Sequence, residues 1–319
     1  IVLSALAQFV VNRIPRHTQR WKRLLTLLAL RGARRLGDPL ITYEVGAGRL
    51  WMPLSHDLPL HRSAYPQYSS NLVRVAASVA AHSEDFVVID VGANVGDSLA
   101  LVRDVGEFAI LCIEPEPSYF WCLQANARQF KNVEVLQLAL ADGTTEQSTA
   151  LSSNRGTASI DRAAGGSVPL TTLDEVIELR PAFAQARLVK VDTDGSDLSV
   201  IRGGASFLRK VRPVLFFEYD PAFFLWEEAE ETVALLARMG YRTMLFWDNT
   251  GDFLVRLTTD DVEKLRDLTS YYGGRASSRY CDVAVFAADD EAVSDAIRDA
   301  ELALAEERRR RSEREDPNR

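Results

Sequence analysis

Four carboxylates in this sequence each close a short apolar run. Asp90 follows Phe86-Val87-Val88-Ile89, Glu114 follows Phe108–Ile113, Asp192 follows Leu188–Val191, and Glu218 follows Arg212–Phe217. Runs of that length, rich in β-branched residues, read as buried parallel strands. An acid at the carboxyl end of such a strand lies in the ligand crevice of an open α/β sheet. One strand-tip carboxylate is often only a helix cap; four on one rim point to a site. Such groups can accept hydrogen bonds from hydroxyls, pair with cations and remove protons.

After Asp90 the chain runs through Gly92, Asn94 and Gly96 into Ser98–Val102, which reads as a helix. Strand, glycine turn and helix N-terminus together let a backbone approach a nucleotide-like ligand. The spacing is Asp-x-Gly-x-Asn-x-Gly, so the dinucleotide fingerprint Gly-x-Gly-x-x-Gly fails, as does the phosphate-binding Gly-Lys-Ser/Thr. A nicotinamide dehydrogenase is therefore disfavoured. Glu114 comes about 20 residues past the turn, the position from which an acid meets ribose hydroxyls. A ribose acid without phosphate-cradling glycines points to a nucleoside that carries no phosphate. S-adenosyl-L-methionine fits, with its amino-acid end at Asp90 and the turn and its ribose at Glu114.

Taken in order, VIDVGANVGDS (Val88–Ser98), IEPEPSYFWCLQAN (Ile113–Asn126), TTLDEVI (Thr171–Ile177) and LVKVDTDGSDLSVIRGG (Leu188–Gly204) resemble the FkbM-type S-adenosylmethionine-dependent methyltransferases. The resemblance covers roughly Phe86 to Glu218. The family pattern after the fourth strand reads Lys-x-Asp-x-Glu-Gly-x-Glu; here Asp194 and Asp197 stand at the glutamate positions, keeping the charge and shortening the reach. The resemblance implies a Rossmann-like class I fold, a seven-stranded mostly parallel sheet with helices on both faces and an antiparallel final strand. It also implies cofactor contacts at Asp90, Gly92, Asn94, Gly96, Glu114, Leu140 and Asp192, with the backbone of Ala139–Gly143 beside the adenine. The implied acceptor is a hydroxyl of a sugar, glycan or glycosylated natural product.

The elements that must position these groups follow from the pattern. Three regions are expected: an N-terminal helical and hairpin cover at 1–82, the methyltransferase domain at 83–288, and a charged helix or tail at 289–319. Ile1–Arg35 reads as helical around Pro15 and holds eight arginines and lysines with no acid before Asp38. It is either a basic amphipathic helix on an anionic membrane surface or a helix packing its leucine face on the domain. Leu40–Leu54 reads as a hairpin bending at Gly46 and Gly48, and Ser70–Ala81 as a helix. Pro115–Phe130 reads as a helix whose Tyr119, Phe120, Trp121 and Leu123 pack in the core, with Asn126 bonding into the following turn. The third strand is expected at Val133–Leu138. Thr144–Val168, rich in Ser, Thr, Gly and Asn, reads as an inserted hairpin and loop. Thr171 or Thr172 caps the next helix. Pro221–Gly240 and Thr258–Ser270 read as helices, Thr243–Trp247 and Asp282–Phe286 as the last strands.

Asp192 is expected at the transfer centre, with Glu218, Asp194 and His56 behind it. His56 is either a general base near the acceptor or a loop histidine capped by Asp57, the simpler of the two. Lys190 is expected to pair with Asp192 or Glu218 and lower their pKa values. Asp192, Asp194 and Glu218 could bind a hard cation, but nothing in their spacing demands one and no metal is expected. Cys112, Cys122 and Cys281 are scattered in apolar elements and read as buried thiols of a cytoplasmic protein. The formal charge of −8 argues against nucleic acid as a partner. The start at Ile1 and the charged end suggest a piece of a longer chain, fused to further domains. A non-catalytic, cofactor-binding module of a larger glycan-assembly protein is therefore the alternative to a catalytic O-methyltransferase.

Overall fold

The computed structural model describes residues 37–143, 145–154, 157–165, 168–274 and 280–315. The expected basic helix at Ile1–Arg35 lies outside them. The described chain opens with a hairpin, β1 (Leu40–Val45) and β2 (Gly48–Pro53), then two helices, α1 (Leu58–Ala64) and α2 (Ser70–Ala81). Strands β3 (Val87–Val91), β4 (Ala109–Ile113) and β5 (Val133–Leu136) alternate with α3 (Asp97–Val102) and α4 (Pro117–Ala127). A short β6 (Ala139–Leu140) leads to β7 (Thr145–Asn154), β8 (Thr157–Gly165) and β9 (Val168–Thr171), then α5 (Leu173–Leu179). There follow β10 (Leu188–Val191), α6 (Asp197–Gly203), α7 (Ala205–Val211), β11 (Val214–Tyr219), α8 (Trp226–Arg238), β12 (Tyr241–Asp248), β13 (Phe253–Thr258), α9 (Val262–Gly273), β14 (Cys281–Ala287) and α10 (Glu291–Glu315).

The central sheet has the order β13-β12-β14-β11-β10-β3-β4-β5. Strands β5, β4, β3, β10 and β11 run parallel, and β14 lies antiparallel between β11 and β12. The sheet therefore has eight strands where seven were expected. The additional one, β13, is a partly exposed edge strand hairpinned onto β12. Its turn is built by Asp248, whose Oδ1 accepts from the backbone N–H groups of Thr250 and Asp252.

The parallel strands bury both faces, as helices on either side require. Ile89, Val91, Leu111, Ile113, Val189 and Val191 point into one core layer; Val88, Ile110, Cys112 and Leu188 point into the other. The inserted segment forms a separate small sheet in the order β6-β9-β7-β8. Its first strand takes Ala139 and Leu140, so the third core strand stops at Leu136, short of the expected Leu138. At α5 the cap is Thr172, in a reciprocal capping box with Glu175.

The hairpin β1–β2 packs Ile41, Val45, Leu50 and Met52 onto α3 and α4. Asn126 fastens it there. Its Oδ1 accepts from the Trp51 backbone N–H at 2.7 Å, and its Nδ2 donates to the carbonyls of Trp51 and Val95, each at 2.8 Å. The expected local turn bond is replaced by a clamp between the hairpin, α4 and the glycine turn. On α10, Val293 and Ile297 enter the core, and Glu301 pairs with Arg74 of α2 at 2.5 Å. Trp121 is a correction: it is 57% exposed. The buried face of α4 carries Tyr119, Cys122, Leu123 and Asn126, and Trp121 falls on the other side of the 3.6-residue period. No described helix is long and apolar enough to cross a membrane.

Candidate functional site

The parallel register brings the strand tips level. Val91 stands beside Ile113 and Val191, and Val191 beside Phe217, so Glu114, Asp192 and Glu218 continue one edge, with Asp90 one pleat inside it. Glu218 lies within β11 instead of ending it. Three tips are tied tightly. The backbone N–H groups of Gly92 and Ala93 both donate to the Ile113 carbonyl, and the Asp192 N–H donates to the Val91 carbonyl. Gly92 has φ +76°, and a Cβ there would overlap the Asp192 carbonyl; only glycine fits.

Asn94, also at positive φ, turns its N–H toward Glu114 Oε2 at 2.8 Å, while Glu116 N–H donates to Glu114 Oε1 at 2.8 Å. Glu114 is 3% exposed. Burial pushes its carboxyl up to about 7, against the downward pull of those two bonds.

Asp90 is closed in. Its Oδ1 accepts from Lys190 Nζ at 3.0 Å and its Oδ2 from Ser98 Oγ. Lys190 also donates to the Gly92 carbonyl at 3.2 Å and sits 3.3 Å from Asp192 Oδ2. Burial alone would depress the ammonium, but Asp192, Asp90 and Asp97 outweigh it and hold its pKa well above the usual lysine range. The expected Lys190–Asp192 pair is present. The pair with Glu218 is replaced by Asp90, the residue directly beside Lys190 in the register.

His56 is buried. Its Nδ1 accepts from the Leu58 N–H at 3.2 Å, which leaves the proton on Nε2, 3.0 Å from Asn94 Oδ1. Both ring nitrogens are thus engaged, and the ring ties the Leu58 backbone to the glycine turn at Asn94. Asp57, the residue before α1, makes no side-chain capping bond to that helix. Leu140 turns its side chain into the core. Asp142 N–H, two residues on, is anchored by Ser199 Oγ at 3.0 Å.

Asp192 is the open carboxylate, its side chain 44% exposed against 4% for Asp90. Toward β11 the rim turns acidic. Burial, and then the charges of Asp192, Asp197 and Asp194, raise Glu218 well above the usual carboxylate range. This overturns the lowering expected from Lys190. Asp282 stands opposite Glu218 on β14 and is raised to about 7, mainly by burial, although Asn71 Nδ2 donates to it at 2.7 Å. Asp97, Asp197 and Asp282 were not singled out as site residues, nor were Tyr68 and Tyr280, phenols whose pKa burial and nearby carboxylates raise. Only the tyrosine-proline loop at Tyr65–Tyr68 and the Asp197 family position offered a signal. A small, open pocket lies beside Glu218, between the start of α6 and the segment after β11. Among the described residues, no group of three or more His, Cys, Asp or Glu is arranged to hold a metal ion.

Residues 90–243 match the family model described as the methyltransferase FkbM domain. No curated protein matches the chain. Among solved structures it is similar to methyltransferase FkbM from Methylobacillus flagellatus KT, at 18% identity and a TM-score of 0.36, over 50% of this chain and 40% of that one. It thus spans less than half the length of that relative. It is also similar to the METTL16 MTase domain, at 10% identity and a TM-score of 0.46, over 90% and 91% of the two chains. A third is P. horikoshii TYW2 in complex with MeSAdo, at 12% identity and a TM-score of 0.37, over 78% and 72%.

Proposed function

We propose that this chain, whose residues 90–243 match the methyltransferase FkbM domain, methylates a hydroxyl of a sugar, glycan or glycosylated natural product, with S-adenosylmethionine as donor. The rim's chemistry fits that donor. It offers carboxylates and turned-in backbone groups to hydroxyls and cations, while Lys190 is buried against Asp90 and is not open to a phosphate. When bound, the donor supplies an electrophilic methyl on a sulfonium and leaves as S-adenosylhomocysteine when that C–S bond breaks.

The chain's own residues do the rest. Asp90 and the glycine turn receive the amino-acid end, and Glu114 accepts from ribose hydroxyls with the lone pairs its two backbone bonds leave over. Asp192 orients the acceptor hydroxyl and takes its proton as the oxygen attacks. Lys190 holds one of its oxygens in place. Positioning two reactants in this way supplies roughly 7–11 kcal/mol of such a barrier. The openness of Asp192, beside a closed charge pair, is the observation that carries this reading. Three unpaired buried cysteines support a reducing compartment, the cytoplasm.

Calorimetry of the wild type and Glu114→Ala with S-adenosylmethionine, S-adenosylhomocysteine and NAD tests the donor. Methyl transfer to a saccharide panel tests the acceptor. Sulfonium binding that is lost in the variant, with turnover on a saccharide, is expected. Preference for NAD overturns the donor assignment, and binding without turnover on any saccharide favours the cofactor-binding module.

A further inference from the structure

The pocket beside Glu218 is lined by four carboxylates, Asp197, Glu218, Asp220 and Glu228, and no basic side chain lines it. Arg202 reaches Glu228 at 2.9 Å from outside the lining. Asp197 is 5% exposed. Its Oδ2 accepts from the Thr193 backbone N–H at 3.3 Å and hydroxyl at 3.0 Å, but its Oδ1 is buried with no hydrogen-bond partner. A buried acceptor with no partner in the chain can take a donor from outside it, a water or a ligand group. Burial and the neighbouring Asp192 push Asp197 up to about 6.

The pocket's wall is aromatic. Phe223 is 50% exposed, and its ring rests on Gly195, which has φ +109°; a Cβ there would meet the ring at 3.0 Å. The glycine lets the ring cover the loop. The donor's own cation does not account for this pocket, because Asp220, Phe223 and Glu228 follow β11, two strands away from the glycine turn on β3.

Resting on the saccharide reading above, we propose that the acceptor carries a protonated amine, as an amino sugar does, and that this pocket holds its ammonium among Asp197, Glu218 and Asp220 against the Phe223 ring. A neutral sugar could donate hydroxyl hydrogens to these carboxylates but would leave their mutual repulsion in place. An ammonium brings three donors and a compensating charge, and it is attracted to the face of an aromatic ring.

The test is calorimetry at pH 7 on the full chain with S-adenosylhomocysteine, titrating methyl glucosaminide, methyl N-acetylglucosaminide and methyl glucoside. The glucosaminide is expected to bind at least about tenfold tighter than either neutral sugar, the scale of a charge-assisted hydrogen bond. Asp220→Asn and Phe223→Leu should each cut that preference several-fold without weakening methyl glucoside. Equal affinities, or a neutral sugar preferred, overturn the ammonium assignment and leave the saccharide reading standing. Binding of none of the three, with S-adenosylhomocysteine bound, overturns both.

Discussion

On the β3 and β4 side of the sheet edge, charge is closed in pairs. Asp90 meets Lys190 and Ser98, and Glu114 meets two backbone N–H groups. On the β11 side, carboxylates face one another. Glu218 stands opposite Asp282, with Asp197, Asp194 and Asp192 near enough to raise its pKa, and one oxygen of Asp197 goes unpartnered. The two regions sit on the same scaffold within a few strands. The first is held by bonds within the fold itself, as the cofactor cradle proposed above should be. The second gathers carboxyls that burial and one another's charges keep from ionising together.

Removing a partner on the closed side should therefore have the largest effect. Lys190→Met leaves Asp90 buried without its counter-charge and is expected to destabilise the fold by about 3–5 kcal/mol, read by urea denaturation. The double variant Asp90→Asn with Lys190→Met should recover much of that loss; if it does not, the pair is not what the closed side depends on. Asp192→Asn comes next. It should lower kcat/KM about a hundredfold or more while shifting stability by less than about 1 kcal/mol, because its ion pair is half open to water. A large loss of stability there would move Asp192 from the chemistry into the scaffold.

The closed side was far more legible in the sequence than the open one. Its strands are unbroken apolar runs because both faces are buried, and its turn needs glycine where a Cβ would strike Asp192, so composition and spacing report the geometry directly. Asp192 and Glu114 could be placed for the same reason: each is the first polar residue after such a run. The open side is made by pairing across distance. Asp282 reaches Glu218 only through the antiparallel insertion of β14, and Phe223 joins Gly195 from a different loop. His56 was legible as a polar residue near the turn, but its use depends on Asn94 and Leu58 holding both nitrogens. The edge strand β13 is not marked in the sequence because it is half exposed, without a continuous apolar run.

A smaller effect, of opposite sign, sharpens the contrast. Glu218 holds its proton more tightly than a usual carboxyl, so at a pH high enough to ionise it Glu218→Gln removes one of the facing charges and is expected to stabilise the fold by about 0.5–2 kcal/mol, while lowering turnover. Neutralising a carboxylate would thus strengthen one side of the edge and weaken the other. A loss of stability in Glu218→Gln breaks the comparison, since it would mean that Glu218 is paired and not repelled.

The smallest effect is a slope in pH. A carboxyl whose pKa is higher folded than unfolded binds its proton more tightly in the native state. Its contribution to stability is fully present below the unfolded value of about 4 and is lost as pH rises to the folded value. For Asp282 that value is about 7 and for Asp197 about 6, so both predict a Tm that falls between about pH 4 and 7 and then levels off. Closed-side groups do not all escape this, because Glu114 is also raised to about 7; the variant decides which side contributes. Asp282→Asn keeps a partner for Asn71 and abolishes the titration, so it should flatten part of the slope without lowering Tm at pH 8. A slope unchanged in Asp282→Asn assigns the effect to the other raised carboxyls, Glu114, Asp197 and Glu218, and a Tm that rises with pH through this window shows that the acidic edge does not hold its protons more tightly than the unfolded chain.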